Sequence, residues 1–298
     1  MVTEFKRVLD LYKEVEMNPL LSIVIPSFNQ RQFIADCFDS IPAALREAGL
    51  VEVIVVDGGS TDGAADIIRT RSSEFSYSVS ERDRGQSDAL NKGMAVAKGN
   101  YLTWLNSDDV ILDGALEEVI SIIQRGQAPE WLAGNVALMD QSGIIRKVSY
   151  GPDWSEMGTR LGYLNVFGPS TFFARRLWDK CGPFDMDMHY SMDTALWWKF
   201  CDAENKFSRL RRVTWGLRAH EAAKTSQIFA GVGMSSKMKV ELESMMSRIA
   251  QGKPMRRFGQ WRAPVTMVRC LSGLYLKSYA SSRRAQGRHF KEVAWGQL

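Results

Sequence analysis

From residue 20 onward, short apolar runs alternate with amphipathic stretches and polar loops, and the pattern repeats about every 25 residues. Residues 20–26, 51–56, 75–80 and 101–105 read as strands, taken together as apolar rather than alternating runs. Residues 32–48, 64–71 and a stretch ending at Lys98 have helical spacing between them. Strands that are apolar on both faces and separated by helices predict right-handed βαβ units in a buried parallel sheet. Each polar, Gly-rich or acidic cluster follows a strand, so all are expected along one edge of that sheet, where α/β folds bind ligands.

The flanking regions are patterned differently. Val8, Leu9, Leu11, Tyr12 and Val15 predict an N-terminal helix over residues 1–19, stopped at Asn18-Pro19. Residues 132–139 and 143–150, joined through Asp140-Gln-Ser-Gly143, predict a hairpin. A strand over 170–174, a helix over 175–181, a helix over 192–204 with Leu196, Trp197, Phe200 and Cys201 on one face, and a last strand over 207–215 follow.

The 298 residues, 45% apolar, suffice for one large α/β domain with an appendage. No run is long and apolar enough to span a bilayer, and no charged-then-apolar leader opens the sequence. Cys37, Cys181, Cys201 and Cys270 lie far apart without a Cys-x-x-Cys pair, which argues against a zinc cluster or disulfide framework and for a reducing cytoplasm. Of the overall charge of +4, residues 240–298 carry +8 and the rest −4. A basic tail of this kind suits an anionic surface. Val265, Val268, Leu271 and Tyr275 at helical spacing beside Arg269 and Lys277 suggest a helix lying on a membrane, and equally a helix packing on the domain with a solvated basic face.

Candidate chemistry sits in the loops after the strands. Asp108 and Asp109 end an apolar strand abruptly, and two adjacent carboxylates there can hold a divalent cation or simply build a turn. Asp57, beside Gly58 and Gly59, can accept from a pyrimidine ring or a ribose, with Asp62 capping the next helix. His220 and Lys224 can reach a diphosphate from the far side, His220 also as a metal ligand. Asp193 opens a helix, where its charge is favoured, beside Trp197 and Trp198, which raise its pKa; this suits a general base as well as an ordinary N-terminal acid. The glycines match neither a dinucleotide-binding fingerprint nor a phosphate loop.

Taken together, the motifs resemble the inverting glycosyltransferases of family 2, which have the GT-A fold. The segments that carry the resemblance are Ile23-Val-Ile-Pro-Ser-Phe-Asn29, Val55-Val-Asp-Gly-Gly-Ser-Thr-Asp62, Asp83-Arg-Gly-Gln-Ser-Asp-Ala-Leu-Asn-Lys-Gly93, Trp104-Leu-Asn-Ser-Asp-Asp109 and His189-Tyr-Ser-Met-Asp-Thr-Ala-Leu-Trp197, in family order across residues 20–227. The resemblance implies a GT-A domain over 20–227, with a nucleotide-binding half to about 110, an acceptor half over 111–227 and a basic helical extension over 228–298. It implies a mostly parallel, Rossmann-like sheet flanked by helices, with a mixed acceptor half.

It further implies that Pro26, Ser27, Asn29, Asp57, Ser87, Asn91, Asn106, Ser107 and Asp108 hold a nucleotide-sugar, expected to be a UDP-sugar. Mg²⁺ or Mn²⁺ would sit on Asp108, then Asp109, with His220 nearby, and Asp193 would be the base. Arg175 and the 167–173 loop would border the acceptor, a carbohydrate or lipid-linked saccharide in bacterial polysaccharide or glycolipid synthesis. Many family members have Asp at the position of Asn106, so the metal is expected to be weakly held. An acid pair is frequent where Met192 and Asp193 stand, and a single base suffices. The rival readings are a nucleotide-sugar-binding scaffold without catalysis and a nucleotidyltransferase, which needs a Gly-rich basic loop that Pro26-Ser-Phe-Asn29 is not. A nucleic-acid partner is not expected, because the charge is confined to the tail.

Overall fold

Two seven-residue apolar runs form the first strands, β1 (Leu21–Ser27) and β2 (Val51–Asp57), and every residue of both is buried. A computed structural model describes residues 18–126, 128–151, 168–203, 207–224, 235–250 and 273–298, of which 202 and 246–250 by backbone only. The expected N-terminal helix lies outside the described residues except for its last two positions. β1 pairs in parallel with β2 and with β4 (Tyr101–Trp104), and β2 pairs in parallel with β3 (Tyr77–Ser80). β3 departs from the expectation of a buried strand, because it is the edge of the sheet and its Tyr-Ser-Val-Ser sequence leaves both faces partly exposed.

The expected helix over 32–48 is two helices, α1 (Ile34–Asp39) and α2 (Ala43–Glu47), separated at Ser40–Pro42. Pro42 cannot donate a helical hydrogen bond and disfavours helix in the residue before it. Helices α3 (Ala64–Thr70) and α4 (Gln86–Val96) complete the first half as expected. α4 seats closely on β1: a Cβ at Gly93 would lie 2.3 Å from Val24 Cγ1.

The second half is mixed. β5 (Val110–Ile111) and α5 (Ala115–Gln124) lead into the expected hairpin of β6 (Trp131–Asp140) and β7 (Ile145–Ser149), with Gly143 in the left-handed region at its turn. β8 (Thr171–Ala174) runs antiparallel to both β4 and β6, and β9 (Phe207–Ala219) runs parallel to β6. The nine strands make one sheet in the order β3-β2-β1-β4-β8-β6-β9-β5, with β7 on β6. α6 (Arg175–Cys181) and α7 (Met192–Asp202) flank it. β9 continues four residues past its expected end at Trp215, which carries Arg218 and His220 to the ligand edge.

The basic extension contributes α8 (Ser236–Ala250) and α9 (Leu274–Ala285). Ser278, Ser281 and Ala285 of α9 are buried against β7, where Ser282 Oγ takes the Val148 N–H and Ser278 Oγ the Tyr150 N–H. Phe290, Val293 and Trp295 join the same apolar cluster. For residues 273–298 the extension therefore packs on the domain, while Val265, Val268, Leu271 and Cys270 lie outside the described residues. Cys37, Cys181 and Cys201 form no disulfide.

Candidate active site

The carboxyl ends of β1, β2 and β4 stop along one edge, and the segments that follow them open into a cavity of about 1030 Å³. Pro26, Ser27, Phe28 and Gly58 line its first end, Asn106–Asp109 its middle, and β6, β7 and β9 its far end. This is the sheet-edge position expected for a ligand site. Ser27 Oγ is buried there and finds no hydrogen-bond partner among the described residues, as a group waiting for a ligand would be. Phe28 is 59% exposed at the rim, an aromatic face available to stack a base. Its signal in the sequence is a bare aromatic in a polar loop after a strand.

Asp57 has no exposed surface, and its carboxylate accepts from Gly59 N, Ser60 N, Ser60 Oγ and Ser80 Oγ. It shapes the turn whose Gly58 reaches the cavity, instead of facing the cavity itself. Asn29, with φ at 53°, accepts from Thr61 N and likewise braces this turn from the outside. Ser87 donates to Met188 O, and Asn91 pairs through its amide with both backbone groups of Phe184. These two dock the 184–188 segment onto α4 and do not line the cavity, contrary to the expectation of nucleotide contact.

The two adjacent acids both line the cavity but are held differently. Asp108 lines the cavity, with Oδ2 3.0 Å from His220 Nε2, and the His220 ring rests on Phe33 with centroids 4.6 Å apart. Asp109 is 1% exposed and accepts from Arg218 N and Asn106 Nδ2. Burial, and then the neighbouring Asp108 charge, push its pKa well up. Asp109 also stands at the cavity wall, where its carboxylate, held by these two donors, braces the loop. Asn106 has both amide groups engaged, since its Oδ1 accepts from Gln86 Nε2 while its Nδ2 serves Asp109. A carboxylate in place of Asn106 would confront Asp109 with a further negative charge, so the neutral amide fits this arrangement.

Gln86 Oε1 in turn accepts from Lys224 Nζ, which also reaches His189 O. A chain of hydrogen bonds from Lys224 through Gln86 and Asn106 to Asp109 therefore crosses the cavity. Burial lowers the Lys224 pKa, opposed by Glu241, Asp193 and Asp108. Arg218, 2% exposed, donates to Asp108 O, Gln141 O and Asp36, and lies 5.0 Å above the Phe33 ring. Sequence reading missed Gln86, whose acidic neighbours drew the attention, and Arg218, which lies in the last strand outside any such cluster.

Asp193 enters the cavity at the start of α7, with Oδ1 accepting from Thr194 N and Thr194 Oγ1. Its pKa is raised by burial, a shift that the Thr194 hydrogen bonds oppose. Behind it Trp104 stacks on Trp197 at 5.6 Å and Trp197 on Trp131 at 5.5 Å, an aromatic wall. A Cβ at Gly168 would stand 2.9 Å from Trp104 Cζ2 and 3.2 Å from Asp193 Oδ2, so a side chain there would crowd the carboxylate. The turn before α7 is held by Glu241 of α8, which accepts from His189 N, Tyr190 N and Ser191 N.

Residues 22–174, a little over half of the chain, match the profile of Glycosyl transferase family 2. The chain belongs to this family. Over 179 residues it is 29% identical to a PGL/p-HBAD biosynthesis glycosyltransferase of Mycobacterium bovis (strain BCG / Pasteur 1173P2), spanning 56% of this chain and 64% of that protein's length. It is 26% identical over 221 residues to a glycosyltransferase of Rickettsia typhi (strain ATCC VR-144 / Wilmington), spanning 72% and 68% of the two chains. The fold matches S. aureus TarS 1–349 in complex with UDP-GlcNAc with a TM-score of 0.56 at 17% identity, over 80% of this chain and 68% of that one. The family 2 domain therefore has the GT-A architecture, and the cavity lies where its parallel strands end.

The structure corrects the expectation for Arg175. It opens α6 at the amino end of β4, where its Nε donates to Gly99 O and its backbone N to Asn100 O, on the sheet edge opposite the cavity. Because β8 runs antiparallel to β4, it enters at the cavity with Gly168 and Pro169 and carries Arg175 away from it. Phe172 and Phe173 are buried in the sheet, and residue 167 lies outside the described residues.

Asp108 and His220 offer one carboxylate and one imidazole that fit a divalent cation completed by diphosphate oxygens. Among the described residues no cluster of three such side chains forms, so those residues supply a partial donor set.

Proposed function

We propose that the chain is an inverting glycosyltransferase that moves a sugar from a nucleoside diphosphate donor, a UDP-sugar, to an acceptor hydroxyl. The single observation that carries this reading is Asp193: a half-buried carboxylate with a raised pKa, opening into the same cavity as Asp108, Lys224 and the unpaired Ser27 hydroxyl. TarS, the fold's structural match, is described in complex with UDP-GlcNAc, which supports uridine as the nucleoside. The nucleoside would lie at the β1–β2 end against Ser27, Gly58 and Phe28, with Ser107 and Asn106 beside it. Asp108 and His220 would hold Mg²⁺ or Mn²⁺, which when bound neutralises charge on the leaving diphosphate. Lys224 supplies a cation of the protein's own to the same oxygens.

Asp193 Oδ2 takes the proton of the acceptor hydroxyl as that oxygen bonds to the anomeric carbon and the bond to the diphosphate breaks. Burial in the aromatic wall makes the carboxylate basic enough for this, and Thr194 keeps it oriented. A single base on the face opposite the leaving group gives inversion. The mycobacterial relatives are named for PGL/p-HBAD biosynthesis, which supports an acceptor of the bacterial glycolipid or polysaccharide class.

Among the described residues no helix is long and apolar enough to cross a membrane. Tyr275, Leu276 and Tyr279 are exposed on α9 beside Arg283 and Arg284, which supports peripheral contact with an anionic bilayer. Thermal shift and donor hydrolysis with UDP-, GDP- and dTDP-sugars, each with and without Mn²⁺, test the donor reading. A Mn²⁺-dependent response to UDP-sugars is expected, and no response to any nucleotide would overturn it.

A further inference from the structure

The far end of the cavity is not polar like its middle. β7, β6 and β9 lie side by side there, with Ser149 opposite Val136 opposite Trp215 in one row, and Lys147 opposite Leu138 opposite Leu217 in the next. Paired residues and residues two apart share a face, so all six side chains project together, and all six line the cavity that holds Asp193. Leu138 and Leu217 are only half buried. Side chains that merely filled the core would leave no void against them. Lys147 is exposed at the outer end of its row, and its ammonium has no hydrogen-bond or ion-pair partner among the described residues. Its stem continues the apolar surface while its charge stays at the rim.

We propose that the acceptor is an amphiphile whose apolar aglycone, aryl or alkyl, lies on Val136, Leu138, Trp215 and Leu217 while its hydroxyl head reaches Asp193. This deepens the transferase reading and rests on it for the identity of the head group. A free saccharide would gain little from the four apolar side chains, whereas burying methylene groups there favours a long aglycone.

The test compares binding of methyl, butyl, hexyl and octyl glycosides of a panel of hexoses to the full chain by calorimetry, below micelle concentrations, with UDP titrated separately. From methyl to octyl the affinity is expected to rise at least about tenfold. The Leu138→Gln/Leu217→Gln variant is expected to lose that increment and keep wild-type UDP affinity, while Leu138→Met/Leu217→Met retains it. Binding independent of chain length, or an increment that survives the Gln variant, would overturn the proposal. Because the increment is read without donor, absence of UDP binding with the increment intact would count against the uridine donor alone.

Discussion

At the ends of β1, β2 and β4 almost every polar side chain is already paired within the protein, whereas the β7–β6–β9 face offers the same cavity apolar side chains and the unpaired Lys147. Asp57 accepts four hydrogen bonds, Asn106 makes two, and Asp109 is held from both sides. This end is thus a pre-paired frame, and under the proposed reading it would need few free groups, because backbone and pre-oriented amides can contact a nucleotide without reorganising. Under the proposed reading, the acceptor end would work by surface and leave recognition to burial. Between them stands Asp193, a cavity-lining carboxylate that burial pushes towards the neutral form.

Variants break this comparison in order of effect. Asp193→Asn is expected to cut transfer about 10³-fold while changing UDP affinity less than twofold, read by single-turnover assay and calorimetry. Because burial raises the Asp193 pKa, the wild-type rate should fall with decreasing pH already above the usual carboxylate range, where the base becomes protonated. Asp108→Asn should lose about 100-fold in kcat, together with the response to Mn²⁺. Lys224→Ala should raise the donor KM about tenfold, the worth of one charge-assisted hydrogen bond, and leave binding of alkyl glycosides alone.

Arg218→Met should lower stability by about 3 kcal/mol, measured by urea unfolding, because two carbonyls lose their donor and Asp36 one of its cations. Asp36 keeps Lys291 and some solvent, which limits the loss. Arg175→Ala, on the opposite edge, should leave donor KM and acceptor binding unchanged. A change in either would restore Arg175 to the acceptor side.

The donor half was readable from sequence because its chemistry is local: a strand ends, and the next few residues face the ligand edge. The strands at 20–26, 51–56 and 101–105, the hairpin over 132–150 and the position of Asp193 all follow from short-range pattern. What could not be read was orientation. Asp108 and Asp109 are indistinguishable in the sequence, and only the arrival of Arg218 from β9, 109 positions later, turns one inward. Ser87 and Asn91 sit in a recognisable segment, but α4 points them at the 184–188 loop. Arg175 was misplaced because its strand direction was unknown: β8 runs against β4. Glu241, which clamps the turn before Asp193, lies in a segment that reads only as part of a basic tail.

The central claim, one displacement with Asp193 as the only base, is tested most directly by the anomeric configuration of the first product formed. Proton NMR of the reaction, started with an α-linked UDP-sugar, should show only β-linked product. A product that retains the α configuration would require two displacements or a front-face mechanism and would contradict the account.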